Sequence, residues 1–223
     1  MSLSAALRRA AASDGVAQLL QRGTLWRGVQ PAAGGRQGAI PTGWDALDAE
    51  LPGSGWPVGA LTELLSDMHG IGELSLLLPA LRHLSHTGSM LAWIGSPELP
   101  WAPALAAAGI DLNQLLLVRP DAAADILWAA EQALRSGACG AVLIWPQRIR
   151  PAQLRRLQLA AERGGSAGFL YRGEQALKTP SPAALRLALA PSEAGVAVRI
   201  CKRRGGGRPA HPLYLHWSTT ERG

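Results

Sequence analysis

Five short apolar runs recur along this chain: ALTELL (60–65), SMLAWIG (89–95), QLLLVRP (114–120), CGAVLIWP (139–146) and SAGFLYR (166–172). Segments of helical length separate them: 73–86, 97–109, 121–137 and 151–165. Runs this short, apolar on both faces and spaced by helices, fit buried strands with crossover connections. The pattern dictates an α/β fold with a mostly parallel central sheet flanked by helices.

Local signals refine this plan. Over 73–86, Leu74, Leu77, Leu78 and Leu81 share one helical face, although Pro79 interrupts it. Thr42 or Asp45 is placed to cap a short helix over Trp44 and Leu47. Asp121 is expected to cap the 121–137 helix and Gly137 to end it. Pro151 suits the first turn of the next helix. AALRLALAPSEAGVAVRICKRR reads as two alternating strands, and HPLYLHW as a third, all antiparallel. In the second strand Val196, Val198 and Ile200 face inward, leaving Ala197, Arg199 and Cys201 on an open face. Trp93, Trp128 and Trp145 are expected in the core.

The expected organisation has three parts. Residues 1–36 form a helical arm and linker, 37–204 the core, and 205–223 a last strand and tail. Leu19, Leu20, Leu25 and Trp26 are the apolar contacts of the arm. They fit either packing on the chain itself or docking on another molecule, self-association included. Trp26 and Trp217 are interface candidates by the same reasoning, and could equally close the chain's own core.

Charge is uneven. Residues 1–36 carry net +4, residues 37–145 net −8, and residues 146–223 net +10. The last third could therefore meet DNA or an acidic protein. Arg148, Arg150, Arg155 and Arg156 form one basic group; Arg199, Lys202, Arg203 and Arg204 form another. Solvated surface is the alternative for both. Cys139 and Cys201 are far apart, and the histidines lack a ligand-like spacing, so no metal site is expected. No apolar stretch reaches bilayer-spanning length, so no membrane association and a reduced, cytoplasmic setting are expected.

The run SDMHGIGE (66–73) follows the first strand and opens a helix, the shape of a phosphate-binding loop. A working loop ends in G-K-[ST]. Here Ser66, Gly70, Gly72 and Glu73 stand in the loop without a lysine, and Glu73 and Asp67 bring negative charge. The strand that should end in a metal-binding aspartate ends in Trp145. Glu98, just past the LAWIG strand, is the carboxylate that could serve as a general base. A degenerate loop with no cofactor and no catalysis is the expectation; weak nucleotide binding without hydrolysis, or a weak DNA-stimulated ATPase, is the alternative.

The order of these elements resembles the RecA-type recombinase core over residues 40–204. The resemblance places the family's lysine at Gly72, its threonine at Glu73 and its metal aspartate at Trp145. Its catalytic glutamate falls near Pro97, and its DNA-binding loop is reduced to QRIRPAQ. In the recombinases, basic residues at the strand end matching VRICKRR couple neighbouring subunits through nucleotide. The combination of LWRG, PTGWDALDAELPGSGWPVGALTELL, WIGSPELPWAPALAAAGID and RRLQLAAERGG resembles the ImuA family. That resemblance implies a RecA-like accessory role in SOS-induced, error-prone translesion DNA synthesis. The implied partners are an ImuB-like Y-family polymerase homologue and an error-prone replicative-type DNA polymerase. The related SulA family, which binds FtsZ and inhibits cell division, is the alternative.

Overall fold

The computed structural model describes residues 38–217 except 208 and 210. The arm of residues 1–36, with Leu19, Leu20 and Trp26, lies outside the described residues, as do 218–223. A two-stranded ribbon pairs β1 (Ala39–Ile40) with β2 (Trp56–Pro57), and helix α1 (Asp45–Glu50) lies between them in sequence. The chain then runs β3 (Ala60–Leu65), α2 (Leu78–His86), β4 (Met90–Ile94), α3 (Ala102–Ala107), β5 (Leu115–Val118), α4 (Ala123–Arg135), β6 (Cys139–Ile144), α5 (Pro151–Gly164) and β7 (Ala167–Arg172). It ends with β8 (Leu185–Ser192), β9 (Gly195–Arg203) and β10 (Leu213–His216).

Among the described residues the main sheet has eight strands, in the order β10-β9-β8-β3-β7-β6-β4-β5. The strands from β8 to β5 are parallel, and β9 and β10 return antiparallel at one side. This is the α/β architecture expected from the sequence, with the antiparallel strands appended. Alternation along the central strands fills two cores. Leu91, Trp93, Leu143 and Phe169 face one, which includes Leu77 and Leu81 of the α2 region. Ala92, Ile94, Val142 and Leu170 face the other, beneath α4 and α5. Leu154, Leu157 and Ala161 of α5 are buried there, as their helical spacing required.

Several local expectations are corrected. The helix expected over 73–86 begins at Leu78, with Pro79 in its first turn, where a missing N–H costs nothing. Residues 72–77 form separate turns closed by Leu76 N–H to Gly72 O and Leu77 N–H to Leu74 O. Helix α1 has Trp44 at its N-cap and no side-chain cap. Thr42 Oγ1 instead accepts from Trp44 N–H, and Asp48 accepts from Thr42 N–H. Ala122, not Asp121, precedes α4, while Gly137 with φ of 72° ends it as expected. Trp128 is not core: it is 63% exposed on the outer face of α4. Cys201 is buried, because pairing between β8 and β9 shifts register beside it and turns its side chain inward.

Candidate functional site

β3, β4, β6 and β7 run parallel, so their carboxyl ends share one edge of the sheet. That edge is where open α/β sheets hold ligands. Backbone bonds hold the loops there: Ser66 N–H to Arg172 O, Gly95 N–H to Val118 O, and Trp145 N–H to Ile94 O. A cavity of about 460 Å³ opens at this edge. Ser66, Asp67, Glu73, Trp145, Tyr171 and Arg172 are among its walls. The fold thus brings Ser66, Glu73 and Trp145 together on one cavity wall. Pro97 also lines the cavity, whereas Glu98 is exposed and does not.

The loop that would cradle phosphate is closed on itself. Glu73 Oε1 accepts from Gly70 N–H at 3.0 Å, so a carboxylate takes up one of the loop's amides. Glu73 Oε2 is buried with no hydrogen-bond partner among the described residues. Gly72 has φ of 92°, and a Cβ there would stand 2.3 Å from Trp217 Cζ2. Trp217 in turn packs edge-on against Trp44, with centroids 5.4 Å apart, and Trp44 Nε1 donates to Leu76 O. Two tryptophans from opposite ends of the described chain therefore pin the turn. Trp217 closes over this chain's own loop.

Where a metal carboxylate would project, Trp145 stacks on Tyr171, with centroids 4.4 Å apart and planes 3° from parallel. Burial, and then the nearby Glu73, hold the Tyr171 phenol well above its ordinary value, so it stays protonated. Its hydroxyl also lacks a partner among the described residues. Arg172, on the cavity wall, is tied to Glu63 at 2.5 Å. These residues do not fit a magnesium–nucleoside triphosphate. The loop has no lysine or arginine, a carboxylate stands among its amides, and an indole replaces the metal ligand. No group of three or more metal-ligating side chains occurs among the described residues.

Glu63 belongs to no sequence motif. It is fully buried in β3 and pairs with both Arg172 and Arg186. Arg186 also donates to the carbonyls of Ala176 and Thr179, fixing the connection between β7 and β8. A lone glutamate inside an apolar strand was the available signal, since a buried carboxylate needs partners.

The two basic groups are not gathered into one patch. Arg148 and Arg150 are exposed before α5, and Arg155 and Arg156 are exposed on its first turns. Arg156 pairs with Glu131 at 2.5 Å, a surface contact of small energetic weight. Arg204 lies 3.9 Å from Glu162 at the other end of α5, roughly 17 Å along the axis from Pro151. Arg203 bonds Glu50 at 3.0 Å. Lys202 Nζ donates to Ser181 O, and Arg199 is exposed on β9.

A family model described as the MT3502 N-terminal domain matches residues 49–173. The cell division inhibitor SulA of Edwardsiella piscicida is 36% identical over 103 residues, 46% of this chain and 61% of that protein. Protein RecA of Chlorobium chlorochromatii is 31% identical over 134 residues, 60% of this chain and 37% of that protein. The crystal structure of SulA from Pseudomonas aeruginosa aligns with a TM-score of 0.43 and 29% identity, covering 50% of this chain and 97% of that one. The chain therefore spans under two thirds of these two curated relatives.

Proposed function

This chain belongs to the MT3502 N-terminal domain family and is related to SulA and RecA; on that footing we propose that it is a non-catalytic, RecA-like accessory protein of SOS-induced, error-prone translesion DNA synthesis, of the ImuA type. The observation that carries the non-catalytic part is the closed loop, in which Glu73 holds a loop amide and Trp217 covers Gly72. Phosphoryl transfer relies on cations and metal around the phosphates. This cavity presents a carboxylate and an aromatic stack instead. In this reading the fold serves as a scaffold for partners. The partners in this reading are an ImuB-like Y-family polymerase homologue and an error-prone replicative-type polymerase. The motif combination from LWRG to RRLQLAAERGG supports that assignment.

The test is co-purification of the full chain with the ImuB-like partner at moderate salt. Steady-state ATP hydrolysis is measured alongside, with and without single-stranded DNA. A stable complex without turnover is expected. Absence of a complex at every salt concentration overturns the partner assignment, and DNA-stimulated turnover overturns the non-catalytic one.

The 36% identity to a cell division inhibitor favours a second reading, in which the chain acts on FtsZ as SulA does. Light scattering of FtsZ assembly decides it: inhibition at equimolar chain supports it, and unchanged assembly removes it.

A further inference from the structure

A second cavity, of about 540 Å³, opens beside β8 and β9 against the segment that follows β7. Its wall carries Lys178, Arg186, Arg199 and Lys202, together with Ser181, and no carboxylate among the described residues. Arg186 is fully engaged by Glu63 and by the carbonyls of Ala176 and Thr179. The other three cations meet no carboxylate among the described residues. Among the described residues Lys178 and Arg199 make no ion pair, and Lys202 meets only the carbonyl of Ser181.

Such crowding is unfavourable without an anion. Burial, then Arg186 and Arg204, hold the Lys202 ammonium below its ordinary value, and Glu63 only partly opposes them. The neighbours in sequence behave differently. Arg203 and Arg204 turn to Glu50 and Glu162, so their charges are met within the chain. Arg199 and Lys202 are left to the cavity, joined by Lys178 from another stretch of chain.

We propose that this cavity binds a phosphate group of a nucleic-acid strand, held by Lys178, Arg199 and Lys202. The guanidinium of Arg199 offers paired donors to phosphate oxygens, and the two ammonium groups add point charge. The Ser181 hydroxyl accepts from Ala183 N–H and keeps its own proton to donate. An open, carboxylate-free cavity suits a polyanion whose charge recurs along its length better than a single acidic side chain. Contacts of this kind bring affinity without sequence preference. The site does not depend on which protein partner the chain has.

The experiment is fluorescence anisotropy of a labelled single-stranded oligonucleotide with the full chain over a salt series. Binding is expected at low salt and weakens linearly in log salt. Arg199→Ala and Lys178→Ala, both at exposed positions, are each expected to weaken it about 3- to 10-fold and to reduce the salt slope by about one. Arg135→Ala, at an exposed position on α4, serves as the control and is expected to match the unaltered chain. Thermal melts confirm that each variant folds. Methyl-¹³C-labelled lysines give an independent readout: the Lys202 titration is expected to move up when the oligonucleotide binds. No binding at low salt overturns the proposal. So does an equal loss with Arg135→Ala, which marks diffuse charge, or an unmoved Lys202 titration. Competition by a polyglutamate peptide as strong as that by oligonucleotide overturns it in favour of an acidic protein. Competition by inorganic phosphate as strong, per phosphate, as that by unlabelled oligonucleotide overturns it in favour of a free-anion site.

Discussion

The indole of Trp217 lies against Gly72, so close that a Cβ on Gly72 would fall 2.3 Å from Cζ2. The position where the recombinase pattern has its lysine thus admits no side chain at all while Trp217 is in place. Its φ of 92° also disfavours any residue but glycine.

Restoring the recombinase residues is therefore expected to fail. Gly72→Lys with Glu73→Thr should lose about 1–3 kcal/mol of stability from overpacking and bind no nucleotide. Adding Trp217→Ala should recover part of the loss, because the clash partner is gone. Urea denaturation of the single, double and triple variants measures the coupling. Strict additivity would refute the contact.

The buried carboxylate of Glu63 holds two arginines, and removing it leaves them without a counter-charge. Glu63→Ala should cost about 3–5 kcal/mol. Chemical denaturation checks this. The connection fixed by Arg186, residues 173–184, should also lose amide exchange protection first.

Two tryptophans give opposite expectations. Trp128→Ser, on the outer face of α4, should change stability by no more than about 0.5 kcal/mol. Trp93→Ala, 2% exposed in β4, should cost about 3–5 kcal/mol. Thermal melts separate the two.

Those same residues show what the sequence could reveal. Short apolar runs and helical periodicity report which face of an element is buried, so element order, sheet type and the appended strands were legible. Trp128 misled because its neighbours on α4 are apolar, although it sits opposite Ile126 and Ala130, which face the sheet. The start of α2 misled because Leu74 and Leu77 keep the period across turns that tertiary contacts, not local propensity, hold in place. The gathering of Ser66, Glu73 and Trp145 was legible from strand order. Glu63's partners were not, because Arg172 and Arg186 lie 109 and 123 residues away. Nor was the unequal fate of Arg199 and Arg203, which depends on the twist and register of β9.

Tyr171 gives a prediction in pH. Its folded-state ionisation is shifted upward from an ordinary value of 10.0, by burial first and Glu73 second. The unfolded chain therefore releases this proton at lower pH than the folded one. The resulting stability is fully present below pH 10 and is lost as pH rises toward the folded value. Tyr171→Phe should flatten the decline above pH 10. At pH 7 it should be neutral or stabilising by up to about 1 kcal/mol, since it removes a buried hydroxyl with no partner among the described residues. Urea denaturation at pH 7 and pH 11 checks both.

The position of β3 has a consequence for how the chain is made. It lies between β7 and β8, and Ala60 pairs with Ala167 while Thr62 pairs with Leu185. Its neighbours on both sides thus leave the ribosome 107 to 123 residues after it. At ordinary elongation rates that is a wait of roughly 5–25 s with an apolar strand unpaired. Trp217, which seals the turn after β3, emerges later still. The nascent chain is therefore expected to lean on chaperones throughout that interval, and the first strand of the main sheet to be made is among the last to find its place.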